Sequence, residues 1–539
     1  MRFFIQSRLL NYLLIAGLLS IGQSTQSQQQ AHIVTPTSSL ESSRLNSNYF
    51  DLPLNIKPLL SGNFAELRVN HLHSGIDFKT QQSIGIPVHA PADGWVSRIR
   101  ISSYGFGYAL YLDHPNGFTT VYGHLDGYAF PIDDEARRMQ YKTEQFELDT
   151  LLPKNMIPVR KGQIIAYTGN SGGSAGPHLH FEIRDTKTEE TIDALLWYTD
   201  RIKDNRPPEI YKIAVYAIDD KGALSTGTPR VIVPVLKSKQ GNRVLSGQLP
   251  TVWGEIGIGL NAYDYMPQTA NKYGICNIRL FMDEELIFLQ DLSRFSFNQT
   301  RAVNSMVDYE LWQTKQTWIM KSFLDPGNSL NVYPTLKNRG VINIDKERVY
   351  AFRYELTDRA GNTTSFSFYL RGQKQGIIPH VFTGKRMIFW IPNRFETADI
   401  ELDLPAGALY KTIDFQYAQK ADAGYSDLYI LHHPETPIHE FLPVRFRIQR
   451  DVLPDKQNYY LAKKDRYGRF VKTDGYYEAG WMVSKIREFG TYKILADSIP
   501  PQIGTPNLDY LVKNGLIRIR IADNATGISY WRGTIDDQW

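Results

Sequence analysis

Apolar and polar positions along the chain alternate in short bursts, the period of strands, far more often than they recur at helical spacing. In "RVYAFRYELTDRAGN" the residues Tyr350, Phe352, Tyr354 and Leu356 share one face of an extended strand, and the chain turns at Asp358 to Asn362. "LIRIRIADNATG" repeats the scheme, which predicts Ile517, Ile519 and Ile521 inward with Arg518 and Arg520 outward. From Phe50 to about Trp197 short β-like runs alternate with glycine-bearing turns, and "HPNGF" between "YALYLD" and "TTVYGHL" carries the Asn-Gly signal of a tight hairpin. One segment departs from this pattern. Asp133 to Leu148, "DDEARRMQYKTEQFEL", holds strong helix formers behind an aspartate cap and predicts a helix inserted between two β-like halves as a lid or flap. The expected fold is mainly β: a small antiparallel-sheet domain with a helical insertion, followed by β-sandwich domains of Ig-like pattern.

Punctuation supplies the domain limits. "DNRPPEI" at Asp204 to Ile210 reads as a linker, "DSIPPQI" at Asp497 to Ile503 repeats it, and a further break falls near "RGQKQGIIPH". These place units at 50–200, 205–374 and 378–497, with an incomplete Ig-like unit at 498–539. That last stretch is too short for a two-sheet sandwich of roughly 100 residues, and is either truncated or dependent on a partner strand. At the other end, Arg2 and Arg8 lead into an apolar run from Leu9 to Ile21, and Ser20-Ile21-Gly22 offers small residues for cleavage. Residues 1–22 are therefore expected to be a signal peptide, with an uncleaved anchor as the alternative, and 23–49 a flexible polar segment. The expected location is outside the cytoplasm, secreted or periplasmic.

Composition adds bounds. At 539 residues and 42% hydrophobic content the chain needs several cores. A net charge of +4, from 60 basic and 56 acidic residues, gives no reason to invoke nucleic acid. The lone cysteine, Cys276, sits in the apolar stretch "YGICNIRLF" and is expected to be a buried thiol.

The candidate chemistry lies in the histidines. Of 12 in the chain, seven (His71, His73, His89, His114, His124, His178 and His180) fall in one β-rich segment. His73 and Asp77 are an even number of residues apart and share a face of an extended strand, and His180 can complete a three-ligand set. Parity does not choose between His71 and His73, because both share a face with Asp77. Two imidazoles and a carboxylate suit zinc, with a fourth position left for water. The glycines at 169, 172, 173 and 176 allow a tight loop but end in Gly-Pro-His, without the Gly-Lys-Ser/Thr of a phosphate loop. The H-E-x-x-H zinc signature is absent; "HEFLP" at His439 to Pro443 lacks its second histidine.

The stretch from about Leu60 to Asp185 resembles the lysostaphin-type (LytM-like) zinc endopeptidases that cut peptide cross-links in bacterial cell walls. "HSGIDF", "GIPVHAPADGWV", "VYGHL" and "GNSGGSAGPHLHFEIR" carry the resemblance. It implies one zinc ion held by His73, Asp77 and His180, with His178 assisting the bound water that attacks the scissile carbonyl and His124 donating to the oxyanion. His71 has no place in that motif, while His89 and His114 are expected to be structural. Glu182 shares the parity of His180 and reads equally as a partner of that ligand or as an ordinary strand carboxylate, and Arg68 is expected to form an ion pair. The resemblance covers about a quarter of the chain. Relative to the family, roughly thirty extra residues intervene after "YGHL", an insertion expected to border the groove. The implied activity is hydrolysis of peptidoglycan cross-links, with an envelope protein as a further partner for the C-terminal β-domains. Two alternatives compete with it: a non-catalytic LytM-like regulator of envelope hydrolases, and an adhesion or scaffold protein acting through its Ig-like domains.

Overall fold

The computed structural model describes residues 48–237, 241–245, 247–505, 517, 519–534 and 536–539. The expected signal peptide, the polar segment up to residue 47, and Arg518 lie outside the described residues. Among those described, no helix is long and apolar enough to cross a membrane.

The first region is built on ten elements in chain order: β1 (Leu60–Gly62), β2 (Ile76–Lys79), β3 (Pro87–His89), β4 (Gly94–Ile101), β5 (Tyr108–Asp113), β6 (Phe118–Tyr128), α1 (Ile132–Thr143), β7 (Leu148–Leu151), β8 (Ile164–Thr168) and β9 (His178–Asp185). The strands join one antiparallel sheet with the order β1-β2-β9-β6-β5-β4, and β8 links β6 to β3. Strand β9 is central, paired to β2 on one side and β6 on the other. Its alternation sorts chemistry by face. Leu179, Phe181 and Ile183 are fully buried in the hydrophobic core, while His178, His180, Glu182 and Arg184 line the opposite face. The close pairing is sterically strict at Gly75, where a Cβ would lie 2.3 Å from the Phe181 carbonyl oxygen.

The insertion differs from its expected form. The helix spans Ile132–Thr143 and stops where Glu144 takes a left-handed conformation as its C-cap. Residues 148–151 then form a strand paired to β4, where Asp149 accepts two 2.6 Å bonds from Arg98. Of "TEQFEL" only Leu148 joins that strand, where the edge of β4 offers ladder hydrogen bonds that an isolated last turn lacks. Helix α1 buries Ile132 and Ala136. The chain's end meets this insertion: Tyr141 packs edge-on against Trp539, and Arg532 pairs with Glu144 at 2.6 Å.

Two further sheets follow. One includes β10 (Glu209–Leu224), β11 (Arg230–Pro234) and β12 (Val252–Tyr263); the other includes β13 (Asn277–Met282), β14 (Glu285–Asp291), β15 (Val349–Thr357) and β16 (Thr363–Arg371). Tyr350, Phe352, Tyr354 and Leu356 are all buried, as their alternation requires. One hydrophobic core takes in residues from Phe50 to Tyr410, so the first region and these sheets share packing. A separate core, with Leu402, Phe446 and Tyr492, lies between two five-stranded sheets within 393–496.

The terminal stretch departs from expectation. Gln502–Ile503 pair with Ile521–Ala522, and Ile517 and Ile519 are exposed rather than inward. Among the described residues no second sheet covers this two-stranded ribbon. Cys276 is half-buried, donates to the Thr357 carbonyl at 3.1 Å, and has its pKa pushed up to about 12 by burial, which makes it a poor nucleophile.

Candidate metal centre

His73, Asp77 and His180 come from three places and meet at one point. Asp77 and His180 are direct cross-strand partners on β2 and β9. His73 arrives by a different route from the one parity suggests, because residues 73–75 break the strand and turn the imidazole back over β2. His73 Nε2 lies 3.1 Å from both Asp77 Oδ1 and His180 Nδ1, and the latter two are 2.9 Å apart.

The other polar atoms of the two rings are engaged. His73 Nδ1 donates to the Asn63 carbonyl at 2.7 Å, and His180 Nε2 donates to Glu182 Oε1 at 2.9 Å. These bonds occupy the outer nitrogens, so that rings without an inner proton turn lone pairs towards each other and towards a carboxylate. Three buried acceptors facing one another repel unless positive charge sits among them. The electrostatics point the same way. Burial alone would push His180 down, yet its bonds to Asp77 and Glu182 raise it to about 9; Asp77, despite its burial, is held well below the usual carboxylate range by His73 and His180. Donors around a tetrahedral zinc with bonds of about 2.1 Å are roughly 3.4 Å apart, close to this triangle. The residues present fit a small dication.

Support comes from the surrounding residues. Glu182 is fully buried, accepts from Ser74, and receives the Arg184 Nε at 2.6 Å. Burial would raise its carboxyl, but Arg184 and His180 hold it at about 2. Phe106 stacks on the His180 ring at 4.9 Å. Asn63 is itself clamped: its side-chain amide exchanges two 2.8 Å bonds with the backbone of Gly274, far along the chain.

His178 and His124 stand beside the triangle with ring centroids 4.7 Å apart. His178 Nδ1 donates to the Gly176 carbonyl at 2.8 Å, and its Nε2 is 3.6 Å from Asp77 Oδ1. His124 Nδ1 donates to the Ser171 carbonyl at 2.9 Å, and burial, with His180 next, lowers its pKa to about 4. His124 sits at φ +58°, a conformation seldom adopted outside glycine, held by its own N–H bonded to the Phe106 carbonyl at 2.8 Å. Gly172, at φ +67°, lets the glycine-rich loop touch the backbone of Gly107.

The remaining candidates lie elsewhere. His71 is exposed, with Nδ1 2.9 Å from the Val69 carbonyl. His89 meets Asn55 and the Gly162 carbonyl, and His114 meets Thr120 and the Asp93 carbonyl. Arg68 lies 3.4 Å from Glu66 and 3.5 Å from Asp77, an ion-pair role. Glu182 is the residue that sequence reasoning left undecided; its i+2 position from His180 was the available signal.

The peptidase family M23 model matches residues 71–140 and 136–193. Residues 71–193 are a peptidase family M23 domain. A Zu5-like domain model matches residues 385–497. The M23 domain is 36% identical over 110 residues to an uncharacterized metalloprotease of Haemophilus influenzae, covering 20% of this chain and 18% of that protein. It is 33% identical over 113 residues to the DD-carboxypeptidase/endopeptidase Mpg of Neisseria meningitidis (21% and 20%), and 34% identical over 111 residues to the peptidoglycan DD-endopeptidase ShyB of Vibrio cholerae (21% and 20%). The chain thus spans about a fifth of the length of the curated relatives it matches. Among solved structures, a zinc-containing peptidase from Vibrio cholerae is 29% identical, covering 27% of this chain and 39% of that one with a TM-score of 0.21.

In this M23 domain Glu182→Gln keeps the shape of the side chain but removes the charge that orients His180. Metal affinity is expected to fall by about 10–100-fold, measured by competition with a chromogenic zinc chelator. An unchanged affinity would show that the carboxylate serves Arg184 alone.

Proposed function

We propose that this chain is a zinc endopeptidase of the bacterial cell envelope that hydrolyses peptide cross-links in peptidoglycan. The observation that carries the reading is the convergence of three lone-pair atoms, from His73, Asp77 and His180, whose neighbouring polar atoms are all occupied. The names of Mpg and ShyB support the substrate class and make D,D cross-links the first bond to examine.

His73, Asp77 and His180 would hold the zinc, which when bound acidifies a water and polarises a carbonyl. His178, with Nδ1 tied to the Gly176 carbonyl, leaves its Nε2 to accept the proton the attacking water gives up. His124 is neutral at rest, so its Nε2 donates only after taking up a proton. Given the proton that His178 has taken from the water, it stabilises negative charge on the carbonyl oxygen and passes that proton to the leaving amine, which returns both rings to their starting state. Phe106, packed against both His180 and His124, shields one side of the rings from water. An export signal at 1–22 would deliver the chain to its substrate, and the β-domains after residue 205 would position it there, with an envelope protein as their partner.

The test is digestion of purified sacculi with and without a zinc chelator, followed by mass spectrometry of the muropeptides. Loss of cross-linked dimers is expected only in the untreated sample, with activity restored by added zinc. Intact cross-links in both samples would count against the reading and favour a regulatory role.

A further inference from the structure

Lys79 ends the strand that carries Asp77, and no step of the hydrolysis uses it. The period of two that buries Ile76 and Phe78 in the core puts Asp77 and Lys79 together on the face of the metal centre. In the antiparallel ladder Lys79 is the direct partner of His178, as Asp77 is of His180. Side chains paired in this way leave the sheet about 5 Å apart. The His178 ring turns diagonally towards Asp77, with Nε2 3.6 Å from Asp77 Oδ1. A four-carbon stem standing opposite that ring brings an ammonium to the edge of the space where the scissile carbonyl must lie.

The other charges of this face are engaged with one another. Asp77 meets His73, His180 and Arg68; Glu182 meets Ser74, His180 and Arg184; Arg184 also reaches Glu189 at 3.4 Å. Lys79 is different. Among the described residues its ammonium has no hydrogen bond, ion pair or ring contact. Its backbone, by contrast, is fixed. The Lys79 N–H donates to the Leu59 carbonyl at 2.8 Å, and the strand then stops at a turn in which Gln81 and Gln82 are both left-handed, at φ +55° and +60°. Such a turn is costly outside glycine, and two bonds hold it closed: Thr80 Oγ1 donates to the Ser83 carbonyl at 2.7 Å, and the Ser83 N–H donates to the Thr80 carbonyl at 2.9 Å. A half-buried lysine on a fixed backbone, its charge unpaired beside a hydrolytic centre, differs from a fully solvated surface lysine, whose ion pairs contribute little.

We propose that Lys79 is a specificity-determining residue whose ammonium pairs with a free carboxylate of the substrate, on the carbon that bears the leaving amine. The inference rests on the endopeptidase reading and names the kind of cross-link that is taken. When D-alanine is joined to a diamino dicarboxylic acid, the carbon on the nitrogen side of the scissile amide carries a free carboxylate, whereas the D-alanyl side offers only a methyl group. A glycine bridge carries no charge on either side of its amide. An ammonium beside the attacked bond therefore favours the first kind of link. The pair forms in a partly dehydrated groove, where a charge-assisted hydrogen bond is stronger than on an open surface. It orients the substrate and leaves the metal-facing atoms untouched.

Two synthetic cross-linked peptide dimers test this, identical except that the carboxylate next to the scissile amide is free in one and a carboxamide in the other. Full-length wild type, loaded with zinc, is expected to favour the free carboxylate by about ten-fold or more in kcat/KM, chiefly through KM. In Lys79→Met, which keeps the length of the stem, the ratio is expected to fall to within about two-fold of unity with zinc content unchanged, while Lys79→Arg retains the preference. Lys79→Gln replaces the methionine variant if circular dichroism shows that the latter does not fold. A wild type that cuts both dimers equally, or a Lys79→Met protein that keeps the full ratio, overturns the proposal and leaves the endopeptidase reading standing. Cleavage of neither dimer counts against that reading, and calorimetric titration of the dimers into zinc-depleted protein then decides the role of Lys79. Wild type is expected to bind the free carboxylate about ten-fold more tightly and Lys79→Met to bind both dimers alike. Equal binding of the two by wild type overturns the proposal.

Discussion

Replacing His180 by alanine is expected to leave the protein without zinc and to reduce cross-link hydrolysis by about 10³-fold or more. The ring supplies, from the central strand of the sheet, one of the three atoms that converge. Phe106 stacks on one side, and Glu182, the adjacent carboxylate, is engaged by Arg184 and Ser74. The same engagement predicts that the fold survives, since Glu182 keeps two partners after His180 is gone. Elemental analysis reads the metal, and a thermal melt within a few degrees of wild type separates loss of the site from loss of structure. An alanine variant that retains stoichiometric zinc and cuts sacculi would dismantle the ligand set.

His124→Ala and His178→Ala are expected to lower kcat by about 10²–10³-fold each, with zinc content and KM close to wild type. Both rings are anchored on loop carbonyls, Ser171 and Gly176, and not on the three metal-facing atoms. Removing either therefore takes away a proton carrier and leaves the triangle intact. Because the rings lie 4.7 Å apart and are proposed to carry the same proton, the double variant is expected to be little worse than the more damaged single one. Additive losses would indicate independent roles, and loss of zinc from either variant would make that residue a ligand.

The metal-facing residues were legible because short-range rules place them. His180 and His178 share a face of one strand by period two, and Asp77 pairs directly with His180 across the ladder. His73 reached its position through a turn that parity does not describe; parity had left His71 and His73 open, and it was the resemblance that named His73, which the fold brings beside Asp77 and His180. What the sequence did not contain was the identity of backbone acceptors. The Asn63, Gly176 and Ser171 carbonyls that set three tautomers belong to residues with no chemical signature of their own. The left-handed backbone of His124 was equally hidden, since such a conformation is expected at glycine or asparagine. The end of α1 was misplaced because Glu144 to Leu148 have tolerable helix propensity, whereas Glu144 turns left-handed and Leu148 pairs with β4. At Ile517 and Ile519 alternation was read as burial, but alternation needs an opposing layer before it has an inside.

The reciprocal bonds between Asn63 and Gly274 give the downstream sheets a hold on the hydrolytic centre. Asn63 orients His73, and Gly274 orients Asn63, at a spot where any larger residue would press into the Glu66 backbone, 2.9 Å from an added Cβ. The first two hundred residues are therefore not a portable cassette: excised or grafted onto a foreign scaffold, they would lose the strut behind one imidazole and with it part of their grip on the ion. Recombination that shuffles this peptidase among architectures would have to carry the segment around Gly274 along, or evolve a replacement brace.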